Sequence, residues 1–238
     1  MLGLRPFSKG LRPDVFAKFT LMEQTDKKEL IRSIYFPTLF LVLIWLIKIA
    51  EIIFNTSFSY LGVYPLKFEG LIGILTSPLL HGDLKHLVAN STSFFVLASC
   101  LFFFYRKIAY PVFILIYFLS GFWLWFIGRG SYHIGASGVI YGLTAFLFIS
   151  GLIRRNPPLM AITLVVTFLY GSMIWGVFPE FFPEENISWE GHLTGLVAGF
   201  VMAIYYRKSG PQPKAYDWGD EDDLDEDDEN AYWNRPVK

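Results

Sequence analysis

Six runs of mostly apolar residues constrain this 238-residue chain more than any other feature. They cover residues 34–54, 87–104, 108–127, 137–153, 159–178 and 189–206. A helix needs about 20 residues to cross the roughly 30 Å apolar core of a bilayer, and three of the runs reach or approach that length. The fourth run is shorter and the sixth begins with polar residues, which suggests helix ends below the membrane surface around a wet cavity. The runs predict an all-α polytopic membrane protein with six transmembrane helices.

Composition agrees with a membrane protein. Apolar residues make up 53% of the chain and charged residues only 17%, whereas a soluble domain has about 25% charged residues. Ten of the 21 acidic residues lie between Asp217 and Glu229, so the rest of the chain has even less charge. Basic residues flank the apolar runs instead of forming one patch, which argues against nucleic-acid binding. The single cysteine, Cys100, excludes an intrachain disulfide.

The distribution of basic residues predicts the topology. With the N-terminus in the cytoplasm, the cytoplasmic side holds 16 Lys and Arg residues and the opposite side holds three, Lys67, Lys85 and Arg129. The positive-inside rule therefore predicts that both termini are cytoplasmic. We expect a cytoplasmic N-terminal segment (1–33), a membrane domain (34–206) and a disordered acidic cytoplasmic tail (207–238). Residues 55–86 should form a partly structured external loop at the membrane interface. A compact core without an added span or domain suggests a bacterial plasma membrane.

Three motifs place polar residues where apolar helices begin, and such residues are costly in a membrane and often functional. In HGDLKHLVAN, His86 and Asn90 are four apart and share a helix face. These residues could also be simple interfacial caps, and His81, Asp83 and His86 could bind a metal, although their spacing matches no common zinc pattern.

The second motif, GASG, places Ser137 between Gly135 and Gly138 at the start of the fourth run. Serine is a good helix N-cap and glycines permit close packing, so a structural role is one interpretation. A serine at a helix N-terminus also suits nucleophilic chemistry, since free N–H groups there can bind an oxyanion. Tyr141 follows one turn later on the same face.

The third motif, GHLTGLVAG, places His192 beside a stripe formed by Gly191, Gly195 and Gly199. The stripe predicts close contact with a neighbouring helix. Under the predicted topology, Asn90, Ser137 and His192 lie at similar depth near the external side. The sequence thus predicts a nucleophile, a base and an amide donor close together.

These three motifs, in this order and with six spans, resemble the rhomboid family of intramembrane serine proteases over about residues 34–206. The resemblance implies that Ser137 is the nucleophile, His192 the general base, and His86 and Asn90 the side chains that stabilise the oxyanion. It implies a more structural role for His81. It also implies that Tyr141 packs against the catalytic histidine and that Gly135 supports the site.

Two features depart from the family pattern. The first external loop lacks the Trp-Arg pair of many members, and glycine replaces the usual alanine at position 191. Because Glu190 is two residues from His192 and faces elsewhere on a helix, we expect a Ser–His dyad without a third acid. No metal or organic cofactor is needed for this chemistry. The expected partners are transmembrane protein substrates and the lipid bilayer, and no partner of the acidic tail is identifiable.

Two other functions remain open from the sequence. A rhomboid-like pseudoprotease would bind transmembrane clients without cutting them, although inactive relatives usually lose the serine or the histidine and this chain has both. A small transporter or channel would line its pathway with the same polar residues, but it would have no reason to combine GASG with the other two motifs.

Overall fold

The computed structural model describes residues 13–155, 157–170, 178 and 188–212. Over these residues the regular structure is helical, apart from one isolated antiparallel bridge between Val63 and His133. The longer and α-helical elements are α1 (Pro13–Ile53), α2 (Gly73–Thr76), α3 (Leu84–Phe104), α4 (Ala109–Ile127), α5 (Ser137–Arg154), α6 (Pro157–Tyr170) and α7 (Trp189–Tyr205). The predicted all-α class is confirmed for the described part of the chain.

Four of these helices are long and apolar enough to cross a membrane: residues Lys27–Ile53 of α1, and all of α3, α4 and α5. The described parts of α6 and α7 have 14 and 17 residues, fewer than the about 20 that a perpendicular span needs. The end of the predicted run 159–178 falls largely outside the described residues. Four spans are therefore supported by length and composition, and the total of six stays a prediction.

Helix α1 begins much earlier than the first apolar run. It is continuous over 41 residues with Pro37 inside it, which corresponds to a length of about 62 Å at 1.5 Å per residue. Pro37 lacks an amide hydrogen, so one intrahelical hydrogen bond is missing there. The predicted boundary between residues 33 and 34 therefore lies within one helix, because polar residues continue the helix that the apolar run only partly marks.

The segment between α1 and α3 is structured, as the sequence predicts. It contains α2 and three short 3₁₀ turns, Ser59–Leu61, Phe68–Ile72 and Ser77–Leu79. Helix α4 holds this segment: the Trp125 indole N–H donates to the Lys67 carbonyl at 2.9 Å, and the Tyr117 hydroxyl donates to the Leu75 carbonyl. The segment is thereby fixed next to the start of α3. Its position at a membrane interface stays a prediction.

Helix α5 is the centre of the bundle. It packs against α3, α4, α6 and α7. Of its apolar 18-residue stretch 61% is buried, compared with 17% of the corresponding stretch of α1. From Lys27 onward, the exposed side chains of α1 are mainly leucine and isoleucine, as expected for a lipid-facing helix. Helix α5 consequently contacts the elements that carry each of the three motifs.

Helices α5 and α7 approach so closely that their backbones touch. A Cβ atom added at Gly195 would lie 2.0 Å from the Gly138 carbonyl oxygen, and one at Gly199 would lie 2.0 Å from the Gly142 carbonyl oxygen. Any side chain at these positions would push the helices apart. The predicted packing role of the glycine stripe is confirmed at Gly195 and Gly199.

Arg154 joins the other ends of α5 and α7. This side chain is only 1% exposed and donates to the carbonyl oxygens of Tyr206, Arg207 and Ser209 at 2.8 Å each. These carbonyls follow the last residue of α7, where the helix no longer supplies hydrogen-bond donors, and the guanidinium supplies them instead. Arg154 thus links the end of α5 to the residues that follow α7.

Candidate active site

Ser137 is the first residue of α5. The N-cap is Ala136, whose side chain makes no capping hydrogen bond, so the interpretation of Ser137 as an N-cap is wrong. Gly135 has φ +112°, a conformation that favours glycine, and its amide donates to the Ser77 carbonyl at 2.8 Å. Ser137 is half-buried. It is one of the residues that line a cavity of about 30 Å³, as is Ser120 of α4. A cavity of this size can hold a water molecule.

His192 is the fourth residue of α7 and is 8% exposed. Its ring stacks face to face on Tyr141, with centroids 4.1 Å apart and an angle of 7° between the rings. Tyr141 is four residues after Ser137, so it lies one turn along the same face of α5. The structure therefore holds the imidazole of His192 against α5, one turn from Ser137. The predicted contact between Tyr141 and the histidine is present.

Asn90 joins the two histidines of the first motif. Its Nδ2 atom lies 3.0 Å from Nε2 of His81 and 3.0 Å from Nε2 of His86. An amide nitrogen only donates, so both ring nitrogens accept and both imidazoles carry their proton on Nδ1. His81 and Asn90 are buried, at 2% and 8% exposure. The cluster leaves both histidines neutral and orients the amide of Asn90.

The cluster of Asn90, His81 and His86 meets the start of α5 at Gly135. A Cβ atom at Gly135 would lie 2.9 Å from Cε1 of His86 and 3.7 Å from Nδ2 of Asn90. Gly135 is two residues before Ser137, and the absence of a side chain there lets the His86 ring and the Asn90 amide approach the backbone. All seven predicted site residues therefore lie at the N-terminal ends of α3, α5 and α7 or just before them.

Electrostatics keeps His81 uncharged. Burial, with a smaller effect from neighbouring His86, lowers the pKa of His81 to about 4. Asp83 is the N-cap of α3, and its carboxylate accepts from the His86 amide at 2.8 Å. This hydrogen bond lowers the pKa of Asp83, so the carboxylate is charged at the positive end of the helix dipole. In the described residues, no group of three or more His, Cys, Asp or Glu side chains is placed to hold a metal ion.

Several polar residues outside the three sequence motifs hold these elements in place. Lys48 of α1 donates to the carbonyl oxygens of His81 at 2.9 Å and Gly82 at 3.0 Å, and pairs with Glu51 at 3.0 Å. His133 contacts Ser188 across the helix starts, with 2.7 Å between Nδ1 and Oγ. A lysine inside an apolar run and a histidine just before GASG are signals that could have found both.

The fold and the site together are those of a helical integral membrane protein with serine, histidine and asparagine side chains at the starts of three packed helices. Comparison with known proteins identifies the family. The rhomboid domain matches residues 69–209, more than half of the chain. The chain belongs to the rhomboid family, which is a family of intramembrane serine proteases.

Individual relatives include an uncharacterized protein and two proteins that carry the rhomboid name. An uncharacterized protein of Mycobacterium tuberculosis is 37% identical over 182 residues, which cover 74% of this chain and 75% of that protein. A candidate rhomboid protein of Acanthamoeba polyphaga mimivirus is 33% identical, covering 66% of this chain and 85% of its own. A candidate rhomboid protease of Bacillus subtilis, YdcA, is 33% identical, covering 55% of this chain and 65% of its own.

Proposed function

We propose that this protein is a serine endopeptidase that hydrolyses peptide bonds in or near transmembrane segments of other membrane proteins through a Ser137–His192 dyad. The observation that carries the proposal is the face-to-face stacking of His192 on Tyr141, one turn from Ser137. A general base must be held near the proton that it removes. The stack supports this role because it fixes the imidazole plane on the helix that begins with Ser137.

In the proposed reaction, His192 accepts the hydroxyl proton of Ser137 as its oxygen attacks the substrate carbonyl carbon. A tetrahedral oxyanion forms, and collapse of this intermediate expels the amine, which takes the proton from His192. Water then attacks the acyl-enzyme as His192 takes a proton from it, and His192 returns that proton to the Ser137 oxygen as the carboxylic acid leaves. The cavity beside Ser137 is large enough to supply that water.

The proposed oxyanion site consists of Asn90, His86 and the backbone N–H of Ser137. The first N–H groups of a helix have no intrahelical partners and carry the positive end of its dipole. Asn90 would turn one amide hydrogen from a histidine nitrogen to the oxyanion, exchanging a neutral acceptor for a charged one, which makes the stronger hydrogen bond. Losing one such donor typically costs about 10²–10³ in rate.

The remaining expectations follow from this proposal. The substrate is a transmembrane helix that unwinds locally and exposes its backbone, because a helix with all its hydrogen bonds intact resists attack. We propose six spans with both termini in the cytoplasm of a bacterial cell, a membrane domain over 34–206, and segments 1–33 and 207–238 outside it. The lipid bilayer and the transmembrane substrates are the proposed partners, and Gly135 and His81 support the site.

The test is cleavage of a single-span substrate in liposomes by the wild type, by Ser137→Ala and by Ser57→Ala. Ser57 is an exposed serine of the segment between α1 and α3 and controls for the substitution itself. The wild type and Ser57→Ala should cleave, and Ser137→Ala should be inactive. Ser137 should also be the serine labelled by a fluorophosphonate.

Three results would contradict parts of this proposal. Equal cleavage by Ser137→Ala would exclude this serine as the nucleophile. Binding of several substrates without cleavage of any would favour a pseudoprotease. Solute flux through protein-containing liposomes, without fluorophosphonate labelling, would favour a transporter.

A further inference from the structure

His133 links the segment before Ser137 to the helix that carries His192. The side chain lies in the connection between α4 and α5 and is only 3% exposed. Its Nε2 atom lies 3.0 Å from the Arg129 carbonyl oxygen, and its Nδ1 atom lies 2.7 Å from Oγ of Ser188. A carbonyl only accepts, so Nε2 carries the proton and Nδ1 accepts the hydroxyl proton of Ser188.

Ser188 also forms hydrogen bonds at the start of α7. It is the N-cap of that helix: its Oγ accepts from the Gly191 amide at 3.3 Å, and its carbonyl accepts from the His192 amide at 3.1 Å. The hydroxyl thus donates to His133 and accepts from Gly191 at the same time. The hydrogen-bond chain has a single direction, from the amide of α7 to the Arg129 carbonyl, and it requires neutral His133. Burial lowers the pKa of His133, which favours this neutral form.

The backbone of His133 is itself fixed. It forms the antiparallel bridge with Val63, with hydrogen bonds of 2.8 and 3.0 Å, and two residues later the Gly135 amide donates to Ser77. The segment leading into Ser137 is therefore held at His133 and at Gly135 by the segment that precedes α3. A side chain on such a fixed backbone can set the position of the helix that it contacts.

A second contact joins the start of α7 to the connection between α4 and α5. Glu190 of α7 is 2% exposed, accepts from the Arg129 amide at 3.3 Å, and lies 3.7 Å from the Arg129 guanidinium. Glu190 and Ser188 thus both connect α7 to residues 129–133. These contacts lie beside the reacting groups, because His133 and Ser188 line the same cavity as Ser137.

We infer that His133 and Ser188 are positioning residues: their hydrogen bond sets the start of α7 relative to Ser137 and thereby places His192 for proton transfer. This inference rests on the proposed function. Neither residue touches the reacting atoms in this role. Their effect is geometric, and a misplacement of about 1 Å can cost roughly 100-fold in rate.

The test measures kcat, KM and the rate of fluorophosphonate labelling for His133→Ala, Ser188→Ala and the double variant, in folded protein with a common substrate. Each single variant should lower kcat and the labelling rate roughly tenfold to hundredfold, with KM within about twofold of the wild type. Because the two residues act through one hydrogen bond, the double variant should lose little more than the worse single variant.

Two further variants separate positioning from general damage. Ser188→Thr keeps a hydroxyl that can donate and accept, so it should recover most of the kcat lost in Ser188→Ala. Tyr132→Phe changes the exposed neighbour of His133 and should leave kcat unchanged. Equal losses in Ser188→Thr and Ser188→Ala, multiplicative losses in the double variant, or a change in KM alone would overturn the inference.

Ser137→Ala in the same assay distinguishes failure of the proposed function from failure of the inference about His133 and Ser188. If the wild type cleaves and Ser137→Ala does not, the proposed function holds and the variants of His133 and Ser188 decide this inference. Cleavage by Ser137→Ala at the wild-type rate would overturn the proposed dyad together with the inference.

Discussion

The contact between α5 and α7 gives the sharpest prediction, because a single methyl group should disturb it. In Gly195→Ala the new Cβ would lie 2.0 Å from the Gly138 carbonyl oxygen. Ordinary contacts between such atoms are about 3.5 Å, so α7 must move about 1.5 Å away from α5. Overpacking of this kind costs typically 1–3 kcal/mol, which lowers the melting temperature of a protein of this size by roughly 2–12 °C.

The same movement should affect activity more than stability. His192 is one turn before Gly195, so the displacement is transmitted to the imidazole, and a shift of about 1 Å can reduce the rate roughly 100-fold. Gly199→Ala has the same 2.0 Å clash one turn further from His192. It should lower the melting temperature by a similar amount and kcat by less.

Thermal unfolding in detergent and cleavage in liposomes measure the two effects. Gly82→Ala is the matched control, since a Cβ there meets no atom within 4 Å, and it should resemble the wild type in both assays. If Gly195→Ala were as stable and as active as Gly82→Ala, the close packing of α5 and α7 would not be needed to place His192, contrary to the prediction.

Three other substitutions test the surroundings of the site. Tyr141→Ala removes the stacking partner of His192, a contact worth about 0.5–1.5 kcal/mol, and should lower kcat roughly tenfold, whereas Tyr141→Phe should keep most activity. Folding lowers the pKa of His81 from 6.5 to about 4, so between these pH values the unfolded chain binds a proton that the folded protein does not. The free energy of unfolding should therefore fall by up to about 3 kcal/mol as the pH drops from 6.5 to 4. His81→Gln should reduce the dependence of the melting temperature on pH, and equal pH dependence in the variant and the wild type would contradict the assignment. Lys48→Met removes the cation beside the buried Glu51 carboxylate, which keeps the Phe58 amide as a donor, so the melting temperature should fall by the equivalent of up to about 3–5 kcal/mol. Adding Glu51→Gln should restore part of the loss, and no recovery would exclude the ion pair as the cause.

Features that depend on local spacing could be predicted from the sequence. His86 and Asn90 share a face because a helix repeats every 3.6 residues, and their contact depends on one turn only. The start of α5 follows from the change of composition at GASG. The close approach of α7 to its neighbour follows from glycines four residues apart. Each of these predictions used residues within one element.

Features that depend on contacts between distant elements could not be predicted in this way. His133 and Ser188 are 55 residues apart in the sequence, and nothing in either local motif indicates that the two side chains meet. The carbonyls that bind Lys48 are more than 30 residues away. The early start of α1 was missed for another reason: hydropathy marks only the apolar part of a helix, and α1 continues beyond it into polar sequence.

The contacts around the site explain how three helix starts can be held together. Each start is tied to a different element: the residues before α3 to Lys48, the residues before α5 to the Ser77 carbonyl, and the N-cap of α7 to His133. Buried polar groups need such partners, since an unpaired one costs free energy comparable to a lost hydrogen bond. The same bonds that satisfy this requirement also fix the relative positions of the proposed nucleophile, base and oxyanion donors before a substrate arrives. In a preorganised site of this kind, the reaction needs little rearrangement of the protein, and the groups that stabilise the fold are those that place the chemistry.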